Sequence, residues 1–249
     1  YTAKGGAQET WEPVFTFHGF QYAALYVESG ALPEAPSDKT LTAVVVHTDL
    51  PETASFDCSD PQLVRLHEAA GRTLLAGMHG LPMDCPVRER CGWLGGGHVI
   101  AEALLTRYDA ASFLHKYARD IETGGRRVTD EPRVGPNYGT IVREPKPAGI
   151  PHMIAPGKRR CNAASPDWGS AQVFIPWEIC TQTGDVRILQ EFLEPMRTWI
   201  DYLGSIADPR TGLLVTGLGD WCSPAMRRAA ESGTPWIGNA EIPILSSGM

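Results

Sequence analysis

The pattern of apolar and polar positions changes once along this chain. Residues 9 to 57 carry no helical period: "ETWEPVFTFHGFQYAALYVESG" is rich in Trp, Phe, Tyr and Val, and "TLTAVVVHTDL" is a second run of the same kind. Both predict strands, separated by the Pro- and Ser-rich loop "SGALPEAPSDKT". The pattern then turns helical. "SDPQLVRLHEAAGRTLLAGMHG" opens with Asp60 as a capping residue and Pro61 at the first helical position, where a missing N–H is harmless. Leu63, Leu66, Ala70, Leu74 and Met78 fall on one face, which is expected to turn inward. Two further helices are expected over 98–108 and 109–122, the second opening on Asp109.

From Glu122 to Ala164 the sequence is punctuated by Pro and Gly and reads as irregular. So long a loop is uncommon in a compact domain unless it builds a site. Helices resume in "WGSAQVFIPWEICTQTGD", where Pro176 calls for a kink or a late start. "DVRILQEFLEPMRTWIDYLGSIA" follows, with Asp185 capping and Ile188, Leu189, Phe192, Trp199 and Leu203 inward. The chain thus divides into a β-rich segment, 1–57, and a helical part with long loops, 58–249.

Composition narrows the function classes. The 249 residues are 43% hydrophobic and 20% charged, with a formal charge of −7, and the mean hydropathy is −0.18. This is globular composition, and its sign argues against a nucleic-acid or anionic-membrane surface. No apolar run approaches the roughly 18 residues of a membrane span. Tyr1 falls inside what already reads as structured sequence, as in a mature chain or a piece of a longer one, so the compartment is not legible. The six cysteines (58, 85, 91, 161, 180 and 222) include no C-x-x-C pair, which disfavours zinc and favours free thiols.

Chemistry concentrates in "PMDCPVRERCGWLGGGH", residues 82–98. Asp84, Arg88, Glu89 and Arg90 lie within seven residues beside Trp93, on a loop between two predicted helices. Gly95, Gly96 and Gly97 allow a sharp turn or close approach to a ligand. For Glu89 two effects compete. Neighbouring arginines favour its ionised form, whereas burial against Trp93 favours the neutral form a general acid needs. Trp93 and Trp168 are candidate platforms for a sugar ring, with Asp84 and the arginines bonding its hydroxyls. The alternative is a structural ion-pair cluster that ties the loop down. In "SPDWGSA", Asp167 reads first as a helix cap beside a core Trp168. In "GLGDWC", Asp220 beside Trp221 reads as site or structure equally. His18, His79, His98 and His152 lack metal-ligand spacing and read as structural. Neither a phosphate loop nor a G-x-S-x-G elbow occurs. No cofactor or metal is implied, and no loop spells out a calcium site.

These motifs resemble a known family. "MDCPVRERCGWLGGGH" is similar to the D-C-P-x-R-(D)-E-R-x-G-W-x-G-D signature of bacterial α-L-rhamnosidases, glycoside hydrolase family 78. "KGGAQETWEPVFTFHGFQY" resembles that family's segment before the catalytic domain, "SPDWGSAQVFIPWEICTQTGD" its W-G-D-A-x-x-x-x-P-W helix, and "GLGDWCSP" its G-D-W turn. The resemblance implies a mainly α fold: part of an (α/α)6 barrel of the six-hairpin glycosidase type, preceded by the β-strand end of a β-sandwich domain. It implies an inverting glycosidase that releases terminal L-rhamnose from a rhamnoside. Glu89 takes the general-acid position, Asp84, Arg88, Trp93 and Trp168 sugar-binding ones, and Asp220 falls in the G-D-W turn. Gly96 and Ser170 stand where the motifs carry Asp. The family's general base, a Glu, lies beyond Met249. The barrel is therefore expected to be completed by a C-terminal half or by self-association. The rivals are a non-catalytic sugar-binding protein on the same fold and a hydrolase of shifted sugar specificity.

Overall fold

A computed structural model describes residues 1–5, 8–32, 34–126, 147–157 and 164–214. Seven helices carry it: α1 (Pro61–Ala76), α2 (Leu94–Val99), α3 (Ala101–Arg107), α4 (Ala111–Gly125), α5 (Pro166–Gly169), α6 (Ala171–Thr183) and α7 (Arg187–Ile206). Helix α6 is the hub, packed against α2, α3, α4 and α7. The core between them contains Leu94, Leu104, Leu114, Tyr117, Ile121, Ile175 and Trp199, all at most 2% exposed.

The predicted strands of residues 9–57 do not form. The described part of this segment is extended and almost entirely exposed, without a β-ladder. A strand exists only by pairing, and among the described residues of this segment the pairing is confined to one isolated bridge, Glu52 with Tyr108. Several contacts hold its end, among them the Thr53 N–H to the Arg107 carbonyl at 2.8 Å. Thr48 donates from its N–H to the Met78 carbonyl and accepts the Gly80 N–H on its hydroxyl. Glu52 meets the Arg107 guanidinium at 2.7 Å.

Helix α1 starts as its sequence predicts: Asp60 Oδ1 accepts the Gln62 N–H at 2.8 Å, with Pro61 in the first turn. Its expected inward face holds at the C-terminal end, where Met78 is buried and Leu74 packs against the core, and fails nearer the start. Leu63, Leu66 and Ala70 are exposed, and the buried contact is made by Gly71, with Val64 and His67 half-buried beside it. Arg107 sets this rotation. Its guanidinium lies where a Gly71 side chain would be, 2.2 Å from an added Cβ, and donates to the His67 carbonyl at 2.5 Å.

Other helix limits also shift. Residues 98–108 belong to two helices meeting at Ile100, and the first begins at Leu94, so Gly95, Gly96 and Gly97 are helical rather than a turn. Helix α4 is preceded by Ala110 without a side-chain cap, so Asp109 does not cap it. Pro176 lies inside α6, five residues after its start. Val186, not Asp185, stands at the cap of α7, although Asp185 Oδ1 does accept the Arg187 N–H at 3.0 Å. Along α7 the predicted face holds: Ile188, Phe192 and Trp199 are buried, and Leu189 and Leu203 pack against the core. Gln172 ties α6 to α7 by donating to the Pro195 carbonyl at 2.5 Å. Among the described residues Cys58, Cys85, Cys91 and Cys180 are free thiols, and no helix is long and apolar enough to cross a membrane.

Candidate active site

The loop between α1 and α2 closes on itself through Asp84 and Cys91. Asp84 Oδ1 accepts the Cys91 N–H at 2.9 Å, and the Asp84 N–H returns to the Cys91 carbonyl at 3.1 Å. Within this ring Glu89 is half-buried, and its Oε2 accepts the Trp93 indole N–H at 2.5 Å. The ring also places two thiols on the Glu89 backbone: Cys85 Sγ accepts its N–H, and Cys91 Sγ donates to its carbonyl. The two arginines diverge. Arg88 is exposed, whereas Arg90 adopts a positive φ of 54° and lays its guanidinium 5.0 Å from the centre of the Phe17 ring. Phe17 in turn stacks on His79 at 4.1 Å.

A segment of the predicted irregular stretch forms the wall behind this loop. The Ala155 N–H bonds the Gly92 carbonyl at 2.9 Å, the Leu94 N–H bonds the Met153 carbonyl at 3.1 Å, and Trp93 bridges Ile154. Approach here is so close that a Cβ on Gly92 would stand 1.9 Å from the Ala155 carbonyl oxygen. The long loop does have a structural task, as its length suggests, in residues that are themselves buried (150–155).

Trp168 reaches the same end of the helical layer. Its half-buried indole covers Gly95, 2.7 Å from where a Cβ would project. Asp167 does not cap α5; it is a first-turn residue, 3% exposed, whose Oδ1 accepts the Ser165 hydroxyl. The Asp167 carbonyl accepts from His98 Nε2 at 2.9 Å and joins α5 to α2. Burial pulls the His98 imidazole below its ordinary pKa, partly offset by this hydrogen bond. Thus His98 is structural, as its isolation in the sequence suggests. Ser170 is buried, donates its hydroxyl to the Pro166 carbonyl at 2.7 Å and meets the Trp199 indole at 3.4 Å. Gly96 differs from both neighbours: it is exposed, and a side chain there would meet nothing within 4 Å.

The structure therefore brings Asp84, Glu89 and Trp93 into one bonded loop, leaves Arg88 exposed beside it, and sets Trp168 on the helix that follows. Asp220 lies outside the described residues. Sequence patterns did not single out Tyr117, whose hydroxyl donates to the Gly92 carbonyl at 3.0 Å. It shares the apolar face of α4 with Leu114 and Ile121, so its spacing marks only a core residue.

The family model of the bacterial alpha-L-rhamnosidase 6 hairpin glycosidase domain matches residues 51–240, and that of the bacterial alpha-L-rhamnosidase concanavalin-like domain matches residues 1–47. An alpha-L-rhamnosidase of Formosa agariphila is 37% identical over 228 residues, covering 92% of this chain and 22% of that protein. One from Streptomyces avermitilis is 35% identical, covering 89% and 19% respectively. The chain thus spans about a fifth of the length of these relatives. Among solved structures, an alpha-L-rhamnosidase from Dictyoglumus thermophilum shares the fold with a TM-score of 0.68 at 22% identity, covering 86% of this chain and 21% of that one. The Streptomyces avermitilis enzyme complexed with L-rhamnose aligns with a TM-score of 0.59 at 26% identity, covering 76% and 18%.

Proposed function

Since this chain belongs to the bacterial α-L-rhamnosidase six-hairpin glycosidase family, we propose that it carries the general-acid wall of a glycosidase acting on a terminal L-rhamnoside. The observation that supports this most directly is the Glu89 carboxylate, held at 2.5 Å by the Trp93 indole N–H on a loop closed by Asp84. In this reading Glu89 protonates the leaving glycosidic oxygen. Asp84 and Arg88 bond sugar hydroxyls, and Trp93 and Trp168 offer apolar ring faces. The G-D-W motif makes Asp220 a further candidate for binding the sugar. An inverting reaction also needs a base roughly 6.5–9.5 Å from the acid, with room for a water between them. We assign that base to the remainder of the barrel, which would also cover the exposed apolar side chains Leu63, Leu66 and Ile200.

A second reading, a sugar-binding domain without turnover, is favoured by Gly96 and Ser170. The first is open and carries no carboxylate, and the second is committed to packing against Pro166 and Trp199. The test is release of L-rhamnose from a nitrophenyl α-L-rhamnoside by this chain, alone and supplemented with the downstream half of a relative's catalytic domain. Glu89→Gln is expected to lower turnover about 10²–10⁴-fold, the usual range for general-acid catalysis. Undiminished turnover overturns the acid role, and rhamnose binding without turnover selects the second reading.

A further inference from the structure

Tyr117 is completely buried on α4, yet its hydroxyl reaches across to a single backbone atom of the site loop, the Gly92 carbonyl, at 3.0 Å. That carbonyl also accepts the Ala155 N–H at 2.9 Å, so both its lone pairs are engaged. The other end of the same peptide plane is fixed as well, because the Trp93 N–H bonds the Cys91 carbonyl at 2.9 Å. A peptide unit is rigid and planar. Holding both ends fixes the Trp93 N–Cα bond, and the Leu94 N–H, bonded to the Met153 carbonyl at 3.1 Å, holds the peptide on the other side, so the backbone from which the indole reaches Glu89 is pinned on both sides. Two glycines admit the arrangement. At Gly97 a Cβ would stand 2.6 Å from the Tyr117 ring, and at Gly92 it would strike Ala155.

From this we infer that Tyr117 is a positioning residue: its hydroxyl orients the Gly92–Trp93 peptide so that the Trp93 indole presents its N–H to the Glu89 carboxylate. The inference deepens the proposed role of Glu89 and rests on it. Burial, reinforced by the nearby Asp120, pushes the Tyr117 phenol well above its ordinary range, so the group remains a hydrogen-bond donor throughout the working pH range. A plain core tyrosine would serve as well without its oxygen. This one would not.

The experiment is indole N–H NMR of the ¹⁵N-labelled full chain, with the Trp93 signal assigned by Trp93→Phe. Glu89→Gln displaces that signal, because its acceptor loses charge. Tyr117→Phe keeps the ring and removes only the oxygen. It is expected to move the Trp93 signal and to reduce its response to Glu89→Gln, while the Trp199 indole, which meets Ser170, stays in place. Gly97→Ala, which displaces the Tyr117 ring instead, is expected to produce the same Trp93 change. An unmoved Trp93 signal in Tyr117→Phe overturns the inference, as does a Trp199 signal that moves with it, since that reports general loosening. The coupling is read without turnover, so its failure is distinguishable from a failure of Glu89 as the acid in the rhamnoside assay.

Discussion

Replacing the three consecutive glycines of α2 by alanine, one at a time, separates backbone preference from packing within a single turn. Inside a helix, alanine is favoured over glycine by roughly 0.5–1 kcal/mol. At Gly96 nothing stands within 4 Å of the added methyl, so Gly96→Ala should gain most of that amount. At Gly97 the same methyl would lie 2.6 Å from a fully buried Tyr117 ring whose hydroxyl is anchored at Gly92. Overpacking of this kind costs about 1–3 kcal/mol, which outweighs the helical gain. Gly95→Ala meets the Trp168 indole at 2.7 Å, but that side chain is only half-buried and can yield, so its loss should be smaller. The expected order of stability is Gly96→Ala, wild type, Gly95→Ala, Gly97→Ala. For a domain of this size each kcal/mol corresponds to about 2–4 °C in Tm. Thermal unfolding followed by circular dichroism resolves such steps. If Gly96→Ala is as damaging as Gly97→Ala, position 96 is not open and the packing account of these glycines fails.

Arg107 and His98 provide two further tests. Arg107→Ala deletes hydrogen bonds to the His67 carbonyl and to Glu52 from a guanidinium only 14% exposed, and leaves a void over Gly71. Charge-assisted bonds of this kind are worth about 1.5–3 kcal/mol each at most, so a total loss near 2–4 kcal/mol in urea unfolding is expected, and a loss below about 1 kcal/mol would refute the role of Arg107 in seating α1. His98 titrates at its ordinary 6.5 when unfolded and lower when folded, because burial disfavours its cation. Between those two values the unfolded chain binds more protons. The His98 contribution to stability is therefore complete above about pH 6.5 and is lost as pH falls through the folded value. In His98→Gln the fall in Tm on acidification should be shallower, with His79, also lowered mainly by burial, supplying part of the remaining slope. Identical slopes would exclude His98 as a contributor.

Some local features were legible in the sequence, although Asp109, Asp167 and Asp185 do not cap the helices they precede or open. Asp60 and Pro61 start α1, the 3.6-residue spacing of Ile188, Phe192 and Trp199 gives the buried face of α7, and the charge-and-Trp cluster of 84–93 is gathered in one bonded loop. Features set by distant partners were not legible. The rotation of α1 depends on Arg107, some forty positions away, which selects Gly71 over the apolar stripe of Leu63 and Leu66. The run of glycines reads as a turn because glycine disfavours helices, yet Trp168 and Tyr117 need the space that two of them leave. Strand propensity in residues 9–57 is likewise only half of a strand; the other half is a partner, and no ladder forms in the described part.

The contact between Gly92 and Ala155 also bears on the order in which the molecule assembles. The two residues are about sixty positions apart, and closing a loop of that length carries an entropic cost that local helix formation does not. The backbone hydrogen bonds within helices α1 to α4 are local, but the loop bearing Glu89 lacks its back wall until residues 153–155 arrive. During synthesis from the N-terminus, that wall reaches the loop only after all of α4 has been made. Closure of the Glu89 loop is thus expected to come late in folding, because it waits on a long-range contact that the helices displaying it do not supply.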